Sequence, residues 1–235
     1  MHLSNTGFSI AKSLAGLVLT FNVLALLWVM IYAYFPIAVT KLMVVDRREK
    51  EVSYEWVDLH DISDTIQLAV MCAEDQHFLL HHGLDYQSID RAVASNRSGR
   101  RMRGASTITQ QVAKNVFLWP SRDWVRKGAE VYFALLIEMV WSKERIMEVY
   151  LNVAELGDGI YGVEAASNHY FDKHAADLYR AEAALLAAIL PSPKKYSATS
   201  PGPYVQKRTR WILNQMSYWG NKMNYERSFA EEMIK

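Results

Sequence analysis

Residues 124–141 read WVRKGAEVYFALLIEMVW, a long and largely apolar run that predicts a central helix. On such a helix Glu130 shares its face with three apolar residues, Phe133, Ala134 and Ile137. A carboxylate on an apolar stripe is costly unless it is paired or used. Arg126 and Lys127 precede it by one turn, so we expect an Arg126–Glu130 ion pair that also leaves Glu130 able to act as a site residue.

On both sides of this run, apolar residues recur at the spacing of a helix. Segments with the period-2 alternation of a strand are almost absent. Further helices are predicted within residues 62–73, 89–93, 107–117, 142–151, 176–190 and 203–219. Ser142 is placed to cap the start of one of them. With 51% hydrophobic and 22% charged residues the chain is globular, and its fold class is expected to be mainly α.

Composition excludes several classes of protein and of site. The net charge of +1 argues against a nucleic-acid-binding protein, because such proteins usually carry a strong basic excess. Cys72 is the only cysteine, which excludes an internal disulfide and any multi-cysteine metal site. His77 and His81 are four residues apart, but they lack an adjacent glutamate and a third ligand, so no metal site is expected there.

The N-terminal part of the chain is strongly apolar. Residues 14–35 read LAGLVLTFNVLALLWVMIYAYF, about 33 Å of helix and enough to cross the hydrocarbon layer of a bilayer. We expect four segments: an N-terminal tail at 1–13, a transmembrane helix at 14–35, an interfacial segment and linker at 36–51, and one domain at 52–235. A cleavable signal peptide is the alternative, although its apolar region is usually shorter.

The orientation of this helix is not settled by its flanking charges. Four cations follow it, Lys41, Arg47, Arg48 and Lys50, and three acids lie among them. Under the positive-inside rule these cations place the main domain in the cytoplasm or leave the two orientations equal.

Basic and acidic residues are concentrated in different parts of the main domain. Residues 86–127 contain nine bases and two acids, whereas residues 128–165 contain two bases and seven acids. A local positive field of this kind suits an anionic ligand such as phosphate, although a solvated loop beside a solvated helix face is the plainer interpretation. Residues 95–104 predict a mobile, arginine-rich loop that is placed to close over a lipid phosphate.

Glu74 and Asp75 follow an apolar run and end its predicted helix. A glutamate in that position is expected to be partly desolvated, which raises the pKa of the carboxyl and makes it a better base at neutral pH. The alternative interpretation of Glu74 is a helix-end acid that is exposed to water.

Five blocks of sequence occur in a fixed order along the domain. They are EDQHFLLHHG at 74–83, GASTITQQVAKN at 104–115, RKGAE at 126–130, KERIMEVYLN at 143–152, and the segment at 157–171. Together they resemble the signatures of the bacterial peptidoglycan glycosyltransferases, glycosyltransferase family 51. We expect no penicillin-binding domain after Lys235, so the chain resembles the monofunctional biosynthetic transglycosylases.

This resemblance implies a lysozyme-like helical head with a smaller membrane-associated jaw, in addition to the N-terminal transmembrane helix. It implies lipid II, a disaccharide-pentapeptide on undecaprenyl diphosphate, as the substrate, with the growing glycan chain and membrane lipids as further partners. Other cell-wall synthesis or division proteins are candidate partners. It also implies a single-pass protein of the bacterial inner membrane with its catalytic domain on the periplasmic side, and we adopt this orientation over the cation count.

The resemblance also implies roles for individual residues. Two carboxylates match the catalytic positions: Glu74 as the general base and Glu130. The positions expected to bind phosphate are Lys114, Arg122 and Arg126, with Arg91 and Lys127 behind them. Pocket-lining and supporting positions are matched by Phe78, Ser106, Gln110, Gln111 and Asn115, whereas Thr107 and Thr109 are expected to cap or pack. The one candidate cofactor is a divalent cation, Mg²⁺ or Mn²⁺, at the diphosphate.

Two other functions fit part of the pattern. A membrane-bound muramidase or lytic transglycosylase also uses one glutamate in a lysozyme-like fold. That glutamate acts as an acid, and the reaction does not require a cluster of phosphate-binding cations. A non-enzymatic, membrane-anchored scaffold for division or wall proteins would not depend on Glu74.

Overall fold

The computed structural model of the chain describes residues 3–97, 106–121, 123–220 and 225. The chain divides into two compact units, Met1–Pro36 and Ile37–Lys235. The first unit contains helix α1 (Leu3–Tyr34), and its stretch Lys12–Tyr34 is long and apolar enough to cross a membrane. A membrane anchor and an N-terminal signal sequence both have this character.

The second unit is mainly helical, as predicted. In the described ranges its helices are α2 (Lys41–Asp46), α3 (Asp64–Glu74), α4 (Tyr86–Arg97), α5 (Ile108–Phe117), α6 (Trp124–Val140), α7 (Lys143–Val153), α8 (Val163–Phe171), α9 (Arg180–Ile189) and α10 (Pro203–Trp219). Every helix that spacing predicted is present, and α2 and α8 are additional. Three short strands complete the unit: β1 (Ser53–Tyr54), β2 (Glu155–Gly157) and β3 (Ile160–Tyr161).

Two groups of helices carry the site. In one group α3 packs against α9 and α10, which also pack against each other; in the other α5 packs against α6 and α7. Ile66 of α3, Tyr150 of α7 and Leu186 of α9 are among the largest fully buried side chains. Burying an aliphatic side chain of this size contributes roughly 1.5–3 kcal/mol, so apolar packing fixes where the ends of α3 and α5 lie.

The small sheet has the strand order β1-β3-β2, in which β1 runs parallel and β2 antiparallel to β3. Gly162 follows β3 with a positive φ of 82°, and a Cβ atom there would lie 2.6 Å from the carbonyl oxygen of Asn152. Only glycine fits this close approach without strain. The Asn152 amide is buried and bonds both the N–H and the C=O of Val57, which joins the sheet region to α7.

The segment that follows the first unit is built into the second. Ile37 and Met43 are fully buried, and the Tyr54 hydroxyl donates to the Ile37 carbonyl. Lys41 Nζ donates to the carbonyl of Phe117 at 3.3 Å, at the end of α5. Segment 37–46 therefore packs directly against the helix that carries part of the candidate site.

Local sequence signals explain where the helices begin. The Ser142 hydroxyl accepts from the N–H of Arg145, which confirms the predicted cap of α7. Thr107 and Gln110 form a reciprocal capping box at the start of α5, and this confirms that Thr107 caps.

The predicted loop at 95–104 is wrong in its first three residues. Helix α4 runs on through Arg97, because propagation of an existing helix overrides the weak helix propensity of serine and asparagine. Residues 98–105 lie outside the described residues, and the rest of the predicted loop falls there.

Candidate active site

Glu74 is the last residue of α3, and its side chain is half-buried between helices. Gln111 of α5 donates from Nε2 to Glu74 Oε2 at 2.9 Å. Desolvation raises the pKa of Glu74, while the hydrogen bond from Gln111 acts in the opposite direction. The carboxylate is therefore a base of increased strength that still faces a positioned donor.

The loop after Glu74 is held by a second carboxylate. Asp75 is buried and accepts from the backbone N–H of Ile108 at 3.0 Å, at the first turn of α5. His81 Nε2 lies 3.0 Å from Asp75 Oδ2, and Lys143 Nζ donates to the His81 carbonyl at 2.6 Å. These bonds fix the end of α3 against the start of α5. Gln111 lies one turn further along α5.

Glu130 lies on the buried face of α6 and is only 4% exposed. Arg126 Nη1 donates to one carboxylate oxygen and Lys127 Nζ donates to the other at 2.8 Å, which confirms the predicted ion pair. Lys127 Nζ also donates to the Ser106 hydroxyl at 3.2 Å. Asp123 caps the helix below this cluster by accepting from the N–H of Arg126 at 2.7 Å.

Lys114 lies on α5, one turn after Gln111. Its side chain opens to solvent, while protein packed around its other sides desolvates it and lowers the pKa of its ammonium group. The charges of Glu130 and Glu74 both act on Lys114 in the opposite direction. The two acids that act on this one cation of α5 are therefore contributed by two other helices, Glu74 by α3 and Glu130 by α6.

The arrangement joins a desolvated base to a group of cations. Arg126 and Lys127 also act on Lys114, and each lowers its pKa further. Lys114 and Lys127 remain accessible from solvent, whereas the Arg126 side chain is mostly buried and its Nε has no hydrogen-bond partner in the described structure. The cluster contains three cations and one buried carboxylate, that of Glu130. Its net positive charge suits an anion with several charged oxygens.

The other residues expected in the site have distinct places. Phe78 is fully buried, with Lys143 Nζ 4.7 Å from its ring centroid, so it supports the loop and offers no surface to a ligand. Gln110 is buried and its side-chain oxygen accepts from the Thr107 N–H in the helix cap; its expected place among the pocket-lining and supporting residues stays a prediction. The expectation that Thr109 packs is met by its hydrogen bond to Glu138 at 2.6 Å.

Three more residues were expected in the site. Two of them lie within the described ranges and one does not. Arg91 is exposed on α4 and donates to Gln87 at 3.0 Å. Asn115 is half-buried, one turn after Gln111 on α5. Arg122 lies outside the described residues, so its expected role stays a prediction.

Sequence reasoning missed two residues that contact the base or its partner. The Tyr150 hydroxyl of α7 donates to Gln111 Oε1 at 3.4 Å. Arg208 of α10 donates from Nη2 to the carbonyl of Ala73 at 2.7 Å, next to Glu74 in the chain. Tyr150 lies within one of the five sequence blocks, whereas no motif pointed to Arg208.

A divalent cation held by Glu130 does not fit the donors present. Both carboxylate oxygens already accept from cationic groups, and Lys114 adds further positive charge beside them. Magnesium and manganese sites need free oxygen ligands, which this cluster does not supply. Another group with metal-ligand spacing, Asp58, His60 and Asp61, is fully exposed and lies at the 3₁₀ turn before α3.

Comparison with known proteins agrees with this geometry. A model of the Transglycosylase family matches residues 41–217, a range that contains every residue of the site described above. A biosynthetic peptidoglycan transglycosylase of Bdellovibrio bacteriovorus is 47% identical over 216 residues, which is 89% of this chain and 86% of that protein.

Two further relatives carry the same name. The protein of Xanthomonas campestris is 54% identical over 167 residues, covering 71% of this chain and 68% of its own length. That of Shewanella oneidensis is 53% identical over 170 residues, covering 72% of this chain and 73% of its own length. The family match and these identities show that the chain belongs to the transglycosylase family.

Proposed function

We propose that the chain is a peptidoglycan glycosyltransferase that polymerises lipid II into glycan strands. The donor is the growing chain on its undecaprenyl diphosphate, and the acceptor is the free sugar hydroxyl of a new lipid II. One bond forms between the acceptor oxygen and the anomeric carbon of the donor, with inversion, and the bond from that carbon to the diphosphate breaks. The observation that carries the proposal is that the charges of a desolvated glutamate, Glu74, and a paired one, Glu130, both act on the Lys114 cation.

Glu74 is the general base of this reaction. Its desolvated carboxylate accepts the proton of the acceptor hydroxyl as that oxygen attacks. General base catalysis of this kind is typically worth about 10²–10⁴-fold in rate. Gln111 holds the carboxylate through the 2.9 Å hydrogen bond, so one oxygen is oriented by the protein and the other is left for the substrate.

The cations stabilise the leaving group. A diphosphate leaves as an anion and needs its charge neutralised, and it does not need a proton. Lys114 and Lys127 supply accessible ammonium groups, while Glu130 holds Arg126 and Lys127 in position. Preorganised charges of this kind act where negative charge develops in the transition state. Arg122 and Arg91 remain among the residues that we propose to bind the phosphates.

The membrane supplies both substrates. Helix α1 anchors the chain in the bacterial inner membrane, and the glycosyltransferase domain lies on the periplasmic side. Two lipid-linked sugars then reach the site by lateral diffusion. A reporter fused after Lys235 tests the orientation, because an enzyme that is active only in the periplasm gives signal only there.

The test of function supplies lipid II to the detergent-solubilised protein and measures glycan polymer. We expect Glu74→Gln to reduce the initial rate by at least about 10²-fold, because it removes the proton acceptor and keeps the hydrogen-bonding shape. Glu55→Gln, a matched change at an exposed position, should leave the rate unchanged. A near-normal rate in Glu74→Gln would reject the base assignment.

The same preparation separates the proposal from its rivals. A glycan-cleaving muramidase would shorten lipid-free polymer, and a scaffold would turn over neither substrate. Polymer formed from lipid II, together with intact lipid-free polymer, is the result that the proposal requires.

A further inference from the structure

Arg208 of α10 binds the end of α3, the helix that carries Glu74 as its last residue. Its guanidinium donates to the Ala73 carbonyl at 2.7 Å and stacks on the ring of Trp211, with 4.3 Å to the ring centroid. Two turns further along α10, Gln215 accepts from Gln76 Nε2 at 3.0 Å. These two contacts hold α10 against the chain on both sides of Glu74.

The Arg208 charge lacks an obvious structural purpose. Within the described ranges no carboxylate forms an ion pair with Arg208, and its Nε is buried without a hydrogen-bond partner. A half-buried cation is unfavourable unless an opposite charge compensates it. The carbonyl that it binds belongs to the residue directly before Glu74, and the Arg208 charge lowers the pKa of the Glu74 carboxyl, so the two charges attract each other.

Glu74 needs such a cation because of where it lies. The last carbonyl groups of a helix carry partial negative charge, so the C-terminus of α3 opposes ionisation of a carboxyl placed there. Burial opposes ionisation in the same direction. A general base has to be ionised before it can accept a proton, and one that is protonated at working pH is inactive.

We propose that Arg208 is a positioning residue that keeps Glu74 ionised and fixes the end of α3 for base catalysis. The inference rests on the proposed role of Glu74 as the base. Arg208 acts through the carboxylate and through the Ala73 carbonyl, and it does not touch the sugar or the diphosphate.

The charged and titratable groups that act on Glu74 come from three helices and from the residue directly after α3. Arg208 of α10 and Lys114 of α5 lower the pKa of Glu74, whereas the adjacent Asp75 raises it. Tyr150 of α7 is fully buried and stays neutral, because burial raises its pKa well above the ordinary value. Loss of Arg208 therefore leaves Lys114 as the remaining cation acting on Glu74, and the pKa of the carboxyl rises.

The test measures the pH dependence of lipid II polymerisation in three variants. Arg208→Gln keeps a donor for the Ala73 carbonyl and removes the charge, and we expect the acid limb of the rate profile to move to higher pH. The rate in mildly acidic assays should fall about tenfold, while the rate at alkaline pH changes little. Arg208→Lys keeps the charge and should leave the limb near its wild-type position. Arg210→Met, at an exposed position of the same helix, is the control and should behave as wild type.

Each outcome decides a different claim. An acid limb that stays in place in folded Arg208→Gln, with Glu74→Gln inactive, rejects the role of Arg208 and keeps the base assignment. An active Glu74→Gln rejects the base assignment, whatever Arg208→Gln does. If Arg208→Gln does not fold, Arg208→Lys decides the claim: an acid limb displaced upward there, although the charge is kept, rejects the role of the Arg208 charge in keeping Glu74 ionised.

Discussion

Gln111 donates a hydrogen bond to Glu74 Oε2 at 2.9 Å and accepts one from the Tyr150 hydroxyl at 3.4 Å. A primary amide has its donor and acceptor on opposite atoms, so the Tyr150 hydroxyl turns the NH₂ group of Gln111 toward the carboxylate. Three helices, α3, α5 and α7, thus determine the position of one oxygen of Glu74. Gln111, which affects the ionisation of Glu74, lies on α5, the helix that also carries Lys114.

Replacing Gln111 by methionine should weaken the base at acidic pH. The change removes the hydrogen bond that lowers the pKa of Glu74, so desolvation is opposed less and the pKa of the carboxyl rises. We expect the rate of lipid II polymerisation in mild acid to fall about tenfold, because a hydrogen bond to a charged group contributes about 1.5–3 kcal/mol. The alkaline rate serves as the internal control. Equal losses at acidic and alkaline pH would show that Gln111 acts in some other way.

Lys114→Met should weaken binding of a diphosphate. A charge-assisted hydrogen bond to phosphate is among the stronger single contacts in a site, so we expect the Kd for inorganic pyrophosphate to rise about tenfold or more. Titration calorimetry on the purified protein measures this Kd without any turnover. Lys207→Met, which removes an exposed lysine from α10, is the matched control. Equal affinities in the two variants would place the diphosphate elsewhere.

The loop after Glu74 is stabilised by an ionised Asp85. Burial opposes ionisation, but hydrogen bonds from Ser88 and His77 outweigh it and lower the pKa of Asp85 from 3.8 to about 2. A lowered pKa means that the folded state favours the carboxylate, so this stabilisation is complete above about pH 5 and is lost as the pH falls toward 2.

Asp85→Asn should therefore destabilise the fold in a pH-dependent way. The free energy of unfolding is expected to fall by roughly 2 kcal/mol at pH 7 and by about half of that at pH 3. Urea unfolding at the two pH values measures both numbers. A loss of stability that does not shrink in acid would mean that the charge of Asp85 is not the cause.

Two glycines should respond to alanine with opposite signs. Gly162→Ala places a Cβ atom 2.6 Å from the Asn152 carbonyl oxygen at a φ of 82°, and a conformation of this kind costs about 1–3 kcal/mol. Gly128 lies within α6 with open space around its Cα, so Gly128→Ala should stabilise the fold by about 0.5–1 kcal/mol. Thermal unfolding compares the two variants. A stabilised Gly162→Ala would contradict the close approach of β3 to α7.

Much of the site follows from the sequence because its signals are local. The spacing of Arg126, Lys127 and Glu130 within one helix is enough to predict their ion pairs, and the structure contains them. The partial desolvation of Glu74 follows from the apolar run that precedes it. Ser142 and Thr107 lie within a few residues of the N–H groups that they cap.

The remainder depends on contacts between distant parts of the chain. Arg208 meets Ala73 across more than a hundred residues, and only the packing of α10 on α3 brings them together. The burial of Phe78 and Gln110 could not be predicted for a related reason, since a shared motif does not distinguish a residue that faces the substrate from one that supports the loop. Residues 36–51 were expected to be an interfacial segment and linker, and the burial of Ile37 and Met43 within them depends on the domain that covers them.

The most direct test of the account is the pH profile of lipid II polymerisation by the wild-type protein, measured beside Glu74→Gln. A base of raised pKa predicts an acid limb whose midpoint lies above the ordinary glutamate value of about 4.3, together with loss of turnover at every pH in the variant. A wild-type rate that stays constant below pH 4, or a variant that keeps the wild-type profile, would contradict the claim that Glu74 takes the proton.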